Sequence, residues 1–207
     1  ANPAVGADKF QRIIKEAYDA NILFLIQQAE LRSNELNKGE LKDWKDRVKQ
    51  ANDAANQNVS VEVSAYASPD GGLSLNESLA ERREANTTRY LKGELNKRKI
   101  DVPVGAHYTA QDWEGFKELV SKSNLQDKDL VLRVLSMYSD PEQREREIKN
   151  ISTVFRSLAD EILPKLRRSR LTANIEIIGK SDEEISRLAQ SNPKALNVEE
   201  LLYAATL

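Results

Sequence analysis

Hydrophobic and polar positions along the chain alternate between two periods, 3.6 residues for helices and two for strands. Phe10, Ile13, Ile14 and Ala17 recur at a weak helical spacing, which predicts a helix over residues 8–19. Residues 21–28 follow as a continuous apolar run centred on Ile22-Leu23-Phe24-Leu25-Ile26, the pattern of a strand covered on both faces. Leu41, Trp44, Val48 and Ala51 return to helical spacing between Glu40 and Ala55. Val59, Val61, Val63 and Ala65 then alternate with polar residues and predict a second strand. Pro69-Asp70-Gly71-Gly72 has strong turn chemistry, and Leu75 to Leu95, rich in Glu, Arg, Leu and Ala, reads as a helix. Val104 to Thr109 is a third strand. Leu171 to Ile178, with Leu171, Ala173, Ile175 and Ile177 alternating, is a fourth.

Between the third and fourth strands the pattern is helical and well punctuated. Asp112 can cap a short helix through Val120, and Leu130 to Met137 predicts another. Asp140-Pro141 supplies an N-cap followed by proline at the first helical position, and Glu145 and Lys149 sit one turn apart in the favourable order. Pro164 should kink or end that helix, because proline removes a donor and clashes with the preceding turn. After the fourth strand, Ser181-Asp182-Glu183-Glu184 has the form of a capping box, and a last helical segment runs from Val198 to Leu207 without a C-cap, as if cut there. The order predicts an α+β fold, β-α-β-α-β, a helical insertion, then β, with one mixed sheet packed against helices. The expected division is a domain over residues 1–180, interrupted by an insertion at about 112–168, and a C-terminal helical segment over 181–207. There is no internal repeat and no low-complexity segment.

Composition narrows the partners. Thirty-one basic residues nearly balance thirty-three acidic ones, and a net charge of −2 gives no global attraction to nucleic acid or an anionic membrane. With no cysteine, neither a disulfide framework nor a thiolate metal site is available, which suits an oxidising compartment without fixing one. No apolar run approaches the roughly eighteen residues a membrane-crossing helix requires. Ala1-Asn2-Pro3-Ala4-Val5-Gly6 has neither the basic nor the apolar region of a signal peptide, and a mature exported chain would read the same way.

Candidate chemistry gathers at the turn from the second strand into the second long helix: Tyr66-Ala67-Ser68-Pro69-Asp70-Gly71-Gly72, then Asn76 and Arg83. A glycine-rich turn frees backbone amides and lets another molecule approach the main chain. Arg83, about two turns into the helix, could clamp a carboxylate in a bidentate fork while Asn76 fixes the loop through its amide. A small zwitterion would suit such a pocket. Read without a family, the simpler account is an ordinary turn and a solvated basic helix face. Elsewhere the simpler account also holds. His107, the one histidine, has no sequence partners. Ser64, Ser68 and Ser74 lack a nucleophile elbow. No carboxylate pair stands out for glycoside hydrolysis. Arg167, Arg168 and Arg170, before the last strand, read as helix C-terminal charges. Trp44 and Trp113 read as packing anchors. No cofactor is expected.

The stretch from Tyr66 to Arg83 resembles the signature of the OmpA C-terminal family of peptidoglycan-binding domains, which includes the Pal lipoproteins and flagellar motor proteins. In that family a strand ends in an aromatic or His, a small residue and an Asp, with Gly three, Asn eight and Arg fifteen positions after the Asp. Tyr66, Ala67, Gly71, Asn76 and Arg83 fall at those places, and Asn76-Glu77-Ser78-Leu79-Ala80-Glu81-Arg82-Arg83, closed by Tyr90-Leu91, is similar as a run. Leu23, Phe24, Ala29 and Leu31 resemble the family's opening segment. The likeness covers roughly residues 20–110 and 165–178, and the family also tends to carry Arg where Arg167, Arg168 and Arg170 precede the last strand. It implies a noncatalytic module that binds diaminopimelate in peptidoglycan through Arg83, Asn76, Ser68, Asp70, Gly71 and Ala67, tethering an outer-membrane protein or complex to the wall from the periplasm. One position departs: Ser68 stands where the family has its Asp, which favours the ligand's ammonium. Either Asp70 restores the charge or the site is weakened or lost. In the second case the chain is a periplasmic scaffold for envelope proteins. The Tyr-Ala-Ser-Pro-Asp-Gly variant with a helical insertion resembles a Bacteroidetes subgroup often followed by tetratricopeptide repeats. Glu199 to Ala205 would then begin such an array.

Overall fold

The computed structural model describes residue 10 and residues 12–207. Its elements, in chain order, are β1 (Ile13–Leu23), α1 (Ser33–Leu36), α2 (Gly39–Asp53), β2 (Gln57–Tyr66), α3 (Leu73–Lys97) and β3 (Val104–Thr109). Five helices follow: α4 (Trp113–Lys122), α5 (Lys128–Met137), α6 (Pro141–Asn150), α7 (Ser152–Glu161) and α8 (Leu163–Leu166). The chain then forms β4 (Arg168–Ile178), α9 (Asp182–Ser191) and α10 (Val198–Ala204). Among the described residues no helix is long and apolar enough to cross a membrane.

The fold class is mixed, as the sequence pattern requires: one four-stranded sheet in the order β1-β4-β2-β3. β4 runs antiparallel to both its neighbours, whereas β2 and β3 are parallel. A parallel pair cannot be joined by a tight turn, so the chain must cross over between them, and α3 is that crossover. Because side chains alternate along a strand, one face of the sheet is apolar. Ala20, Ile22, Val61, Val63, Leu171 and Ala173 lie there and pack against Leu41, Trp44 and Val48 of α2 and Leu91 and Leu95 of α3. Trp44 is a core anchor whose indole N–H donates to the Tyr18 carbonyl at 2.9 Å. Lys45 of α2 ties to α3 through Glu94 at 3.3 Å. The opposite face is polar, with Asp19, Thr172 and Glu62 in one cross-strand row.

Two expectations at the N-terminus need correction. Ile13 to Leu23 is a strand, not part of a helix over 8–19; residues 8, 9 and 11 lie outside the described residues. The apparent helical stripe buries nothing, since Ile13 and Ile14 are 53% and 42% exposed, while β1 pairs with β4 along its whole length. The apolar run over 21–28 is likewise not one strand. β1 ends at Leu23, Phe24 makes a last main-chain bond to the Arg167 carbonyl at 2.7 Å, and the chain then turns away with Gln27 at φ +55°.

The helical region has a core of its own, built from Phe116, Val120, Val131, Leu135, Ile148, Leu158 and Leu166 among others. Asp112 caps α4 by accepting from the Gly115 amide, and Asp140 caps α6 with Pro141 in its first turn. The helix expected to run from Pro141 towards Pro164 is broken earlier as well, at Ile151, whose φ and ψ of −89° and 75° are not helical. The break lets Ile148 and Val154 face the same cluster from two directions. At the C-terminus Ser181 caps α9, and Asn197 and Glu200 form a reciprocal capping box on α10.

Because the insertion packs around its own cluster, its stability should be separable from that of the sheet. Leu158→Ala, at a site 1% exposed, should cost about 2–5 kcal/mol locally. In hydrogen exchange, amides of α4 to α8 should lose protection while those of β2 and β4 keep theirs. Equal loss in both regions would show a single cooperative core.

Candidate functional site

The turn after β2 is held from three directions. Asn76, in the first turn of α3 and 4% exposed, donates its side-chain amide to the Ser68 carbonyl at 3.2 Å and the Asp70 carbonyl at 3.4 Å. Gly71 has φ +108°, a conformation costly for any residue with a Cβ. Its amide donates to Glu145 Oε1 of α6 at 2.9 Å, so the insertion closes the outer side of the turn. The Ser68 hydroxyl donates to the Asp70 carboxylate, which turns that carboxylate towards the position where the sequence lacked one.

Among the described residues Arg83 is the largest fully buried side chain, with no exposure at all. It lies on the inner stripe of α3, in line with Leu79, Ala80, Thr87, Leu91 and Leu95. Its guanidinium donates to the carbonyls of Gln28 (2.9 Å), Tyr66 (2.9 Å) and Leu25 (3.2 Å), and stacks 5.0 Å from the centre of the Phe24 ring. Burial lowers its pKa to about 10, with Arg167 and Arg82 pushing the same way and Asp70 opposing them. Asn86, one turn further, donates to the Ala29 carbonyl at 2.8 Å. The loop after β1 is therefore fixed to α3 by side chains rather than by a ladder.

Ser68, Asp70, Gly71, Asn76 and Arg83 all line one cavity of about 190 Å³. Ile26 and Gln27 from the loop after β1, Lys149 and Phe155 from the insertion, and Arg167 complete the wall. Ala67, expected among the ligand-binding residues, does not line the cavity. It is fully buried against Ala29, Leu79 and Ala80, and its main chain bonds to Thr109 and Asp112. Lys149 is ion-paired with Glu145. The sequence had marked that pair only as helix support; nothing in its spacing shows that it reaches the turn.

The other sequence candidates sit elsewhere. Arg168 and Arg170 are part of β4, not charges at a helix end; of that cluster, Arg167 alone follows α8 outside the strand. Arg168 is 7% exposed, lies 3.2 Å from the Asp112 carboxylate and stacks 4.5 Å from the centre of the Tyr66 ring. Burial lowers its pKa against the pull of Asp112. His107 Nε2 is 2.9 Å from the Ser64 hydroxyl, and no carboxylate completes a triad with them among the described residues. Trp113 packs edge-on against Phe116 at 5.4 Å. Among the described residues no three His, Asp or Glu side chains come together as a metal-binding group. No protein-family model matches the chain, and no curated protein matches it.

Three divergent carbonyls need the planar fork of a guanidinium, which a lysine ammonium cannot reproduce. Arg83→Lys should therefore destabilise the protein by about 3 kcal/mol. In a thermal melt that is a fall in Tm of roughly 10 °C; a shift below about 2 °C would mean the clasp is dispensable.

Proposed function

We propose that this chain is a noncatalytic peptidoglycan-binding module of the OmpA C-terminal type, which recognises diaminopimelate and tethers an outer-membrane protein or complex to the cell wall. The observation that carries the reading is the presence of opposite charges around one small cavity, which Asp70, Arg83 and Arg167 all line. An amino-acid end presents an ammonium and a carboxylate close together, and this wall offers a partner for each. A volume of about 190 Å³ lies below the range of about 300–1,000 Å³ typical for drug-sized ligands, which suits one end of a diamino acid rather than a whole glycopeptide.

Asp70, oriented by Ser68, takes over the part that the resemblance assigns to a carboxylate two residues earlier. The strand order and the crossover helix between β2 and β3 are compatible with the OmpA-like arrangement. The reading places the module in the periplasm. A second reading, a scaffold for envelope proteins that has given up the ligand, is favoured by one observation. Glu145 already puts a carboxylate on the Gly71 amide, where an anionic ligand would be expected to bind.

Calorimetric titration with meso-diaminopimelate and sedimentation with insoluble peptidoglycan separate the two. The module reading expects saturable binding in both, weakened roughly tenfold or more by Asp70→Asn, which keeps the shape and removes the charge. Wild-type protein that ignores both ligands would leave the scaffold reading standing. Binding unchanged in Asp70→Asn would remove Asp70 from the site.

A further inference from the structure

Consecutive residues of β4 point to opposite faces of the sheet. Ser169 faces the helices, where the Thr87 hydroxyl of α3 donates to it at 2.7 Å. Arg168 and Arg170 therefore face the other way, beside Leu23 and Asn21 of β1 in the pairing register. Their guanidiniums lie 4.5 and 5.9 Å from the centre of the Tyr66 ring, so one aromatic side chain gathers two cations. Like charges held this way repel, and Arg170 adds to the burial that lowers the pKa of Arg168. Asp112 offsets one of them. One of its oxygens lies 3.2 Å from Arg168, and the other caps α4 through the Gly115 amide. Arg170 is partly exposed, and no carboxylate of the described residues forms an ion pair with it.

Arg168 and Arg170 border a cavity of about 350 Å³ between the end of β1, the start of β4 and α4. Lys165 of α8 borders it too, exposed and without an ion pair among the described residues. The nearby carboxylates do not cancel these charges. Lys122 bonds Glu118 at 2.7 Å and lowers its pKa, with weaker pulls from Arg170 and Arg168. Lys38, a further cation of the wall, pairs with Glu35. Lys165 and Arg170 are thus left against one carboxylate without an ion pair, the exposed Glu40.

We propose that this second cavity, on the face of the sheet away from α2 and α3, binds a phosphate group, with Arg168 and Arg170 as fixed donors and Lys165 as a third cation. A guanidinium offers parallel N–H groups that match the oxygens of a phosphate, and stacking on Tyr66 fixes both planes before the ligand arrives. A phosphate has oxygens enough to meet all three cations, whereas a carboxylate has two. The volume, near the lower end of the usual range for small-molecule sites, leaves room for a small group esterified to the phosphate. Such a group comes from a soluble phosphate ester or from a lipid headgroup. The site stands apart from the wall-binding reading, since the two cavities share no lining residue.

The test titrates the full chain with inorganic phosphate at constant ionic strength, following arginine Nε–H and backbone amide resonances. Saturable shifts should appear at Arg168 and Arg170. Arg170→Gln and Lys165→Gln should each weaken binding, and the double variant by at least about tenfold, with Tm close to wild type. Glu40→Gln, which removes the opposing carboxylate, should tighten it. Lys15→Gln makes the same charge change at an exposed site near the other end of β1 and should leave the affinity unchanged. Sedimentation with phosphatidylcholine vesicles, with and without phosphatidic acid, identifies the source. Capture by phosphatidic acid that is lost in the double variant assigns a lipid headgroup; phosphate binding without capture assigns a soluble ester. Shifts centred on Arg167 and the Gly71 turn would put the anion in the first cavity, and equal losses in Lys15→Gln and Arg170→Gln would reduce the effect to net charge. Either result, or the absence of saturable binding, overturns the proposal.

Discussion

A buried arginine on the inner stripe of a helix is the constraint on which the rest of the site depends. Taking a guanidinium out of water is expensive, and it is tolerated only where fixed acceptors replace the hydration shell. Arg83 finds them in three main-chain carbonyls and the face of Phe24. Those acceptors come from two segments that no ladder joins, the loop after β1 and the last residue of β2. Satisfying one charge thus fixes the path of the chain after Phe24 and the direction in which β2 enters its turn. The cavity is the space left between them.

The turn itself is a second, smaller agreement among local choices. Gly71 adopts a positive φ, Asn76 ties two of the turn's carbonyls to α3, and Ser68 directs Asp70. The insertion adds the last side through Glu145 on the Gly71 amide. Its helices are therefore both a separate apolar cluster and part of the wall of the pocket. A charged network half inside a protein is stable only when its members are partnered. Arg167, which also lines the cavity, has a buried Nε without a hydrogen-bond partner, as do Arg12, Arg32 and Arg47 elsewhere.

Much of this was legible in the sequence, for reasons that can be named. Leu41, Trp44, Val48 and Ala51, and the alternation from Val59 to Ala65, bury apolar side chains on a single face, so their periods survive folding. Asp112, Asp140 and Ser181 act through bonds within one helical turn, which sequence spacing states directly. Gly71 and Asn76 were visible because a turn needs those residue types. The N-terminus was misread because β1 is an edge strand whose start is exposed, so its apolar residues carry no core period. The run from Ile22 to Ile26 was divided by long-range bonds to Arg167 and Arg83, which no local pattern contains. The burial of Arg83 had a signal, its i, i+4 alignment with Leu79, Thr87, Leu91 and Leu95, but a charged residue in such a stripe reads first as a solvated face. Lys149 and Phe155 reach the cavity only through the packing of the insertion.

The central claim is that this cavity receives both charges of an amino-acid end. The most direct measurement is a titration of isotopically labelled protein with meso-diaminopimelate, followed by nuclear magnetic resonance of backbone amides and arginine Nε–H groups. The account predicts saturable shifts at Ser68, Asp70 and Gly71, at the Asn76 side chain and at the Nε–H of Arg167, with the polar face of the sheet unaffected. Shifts absent at saturating ligand, or gathered on that open face around Thr172 and Glu62, would contradict it.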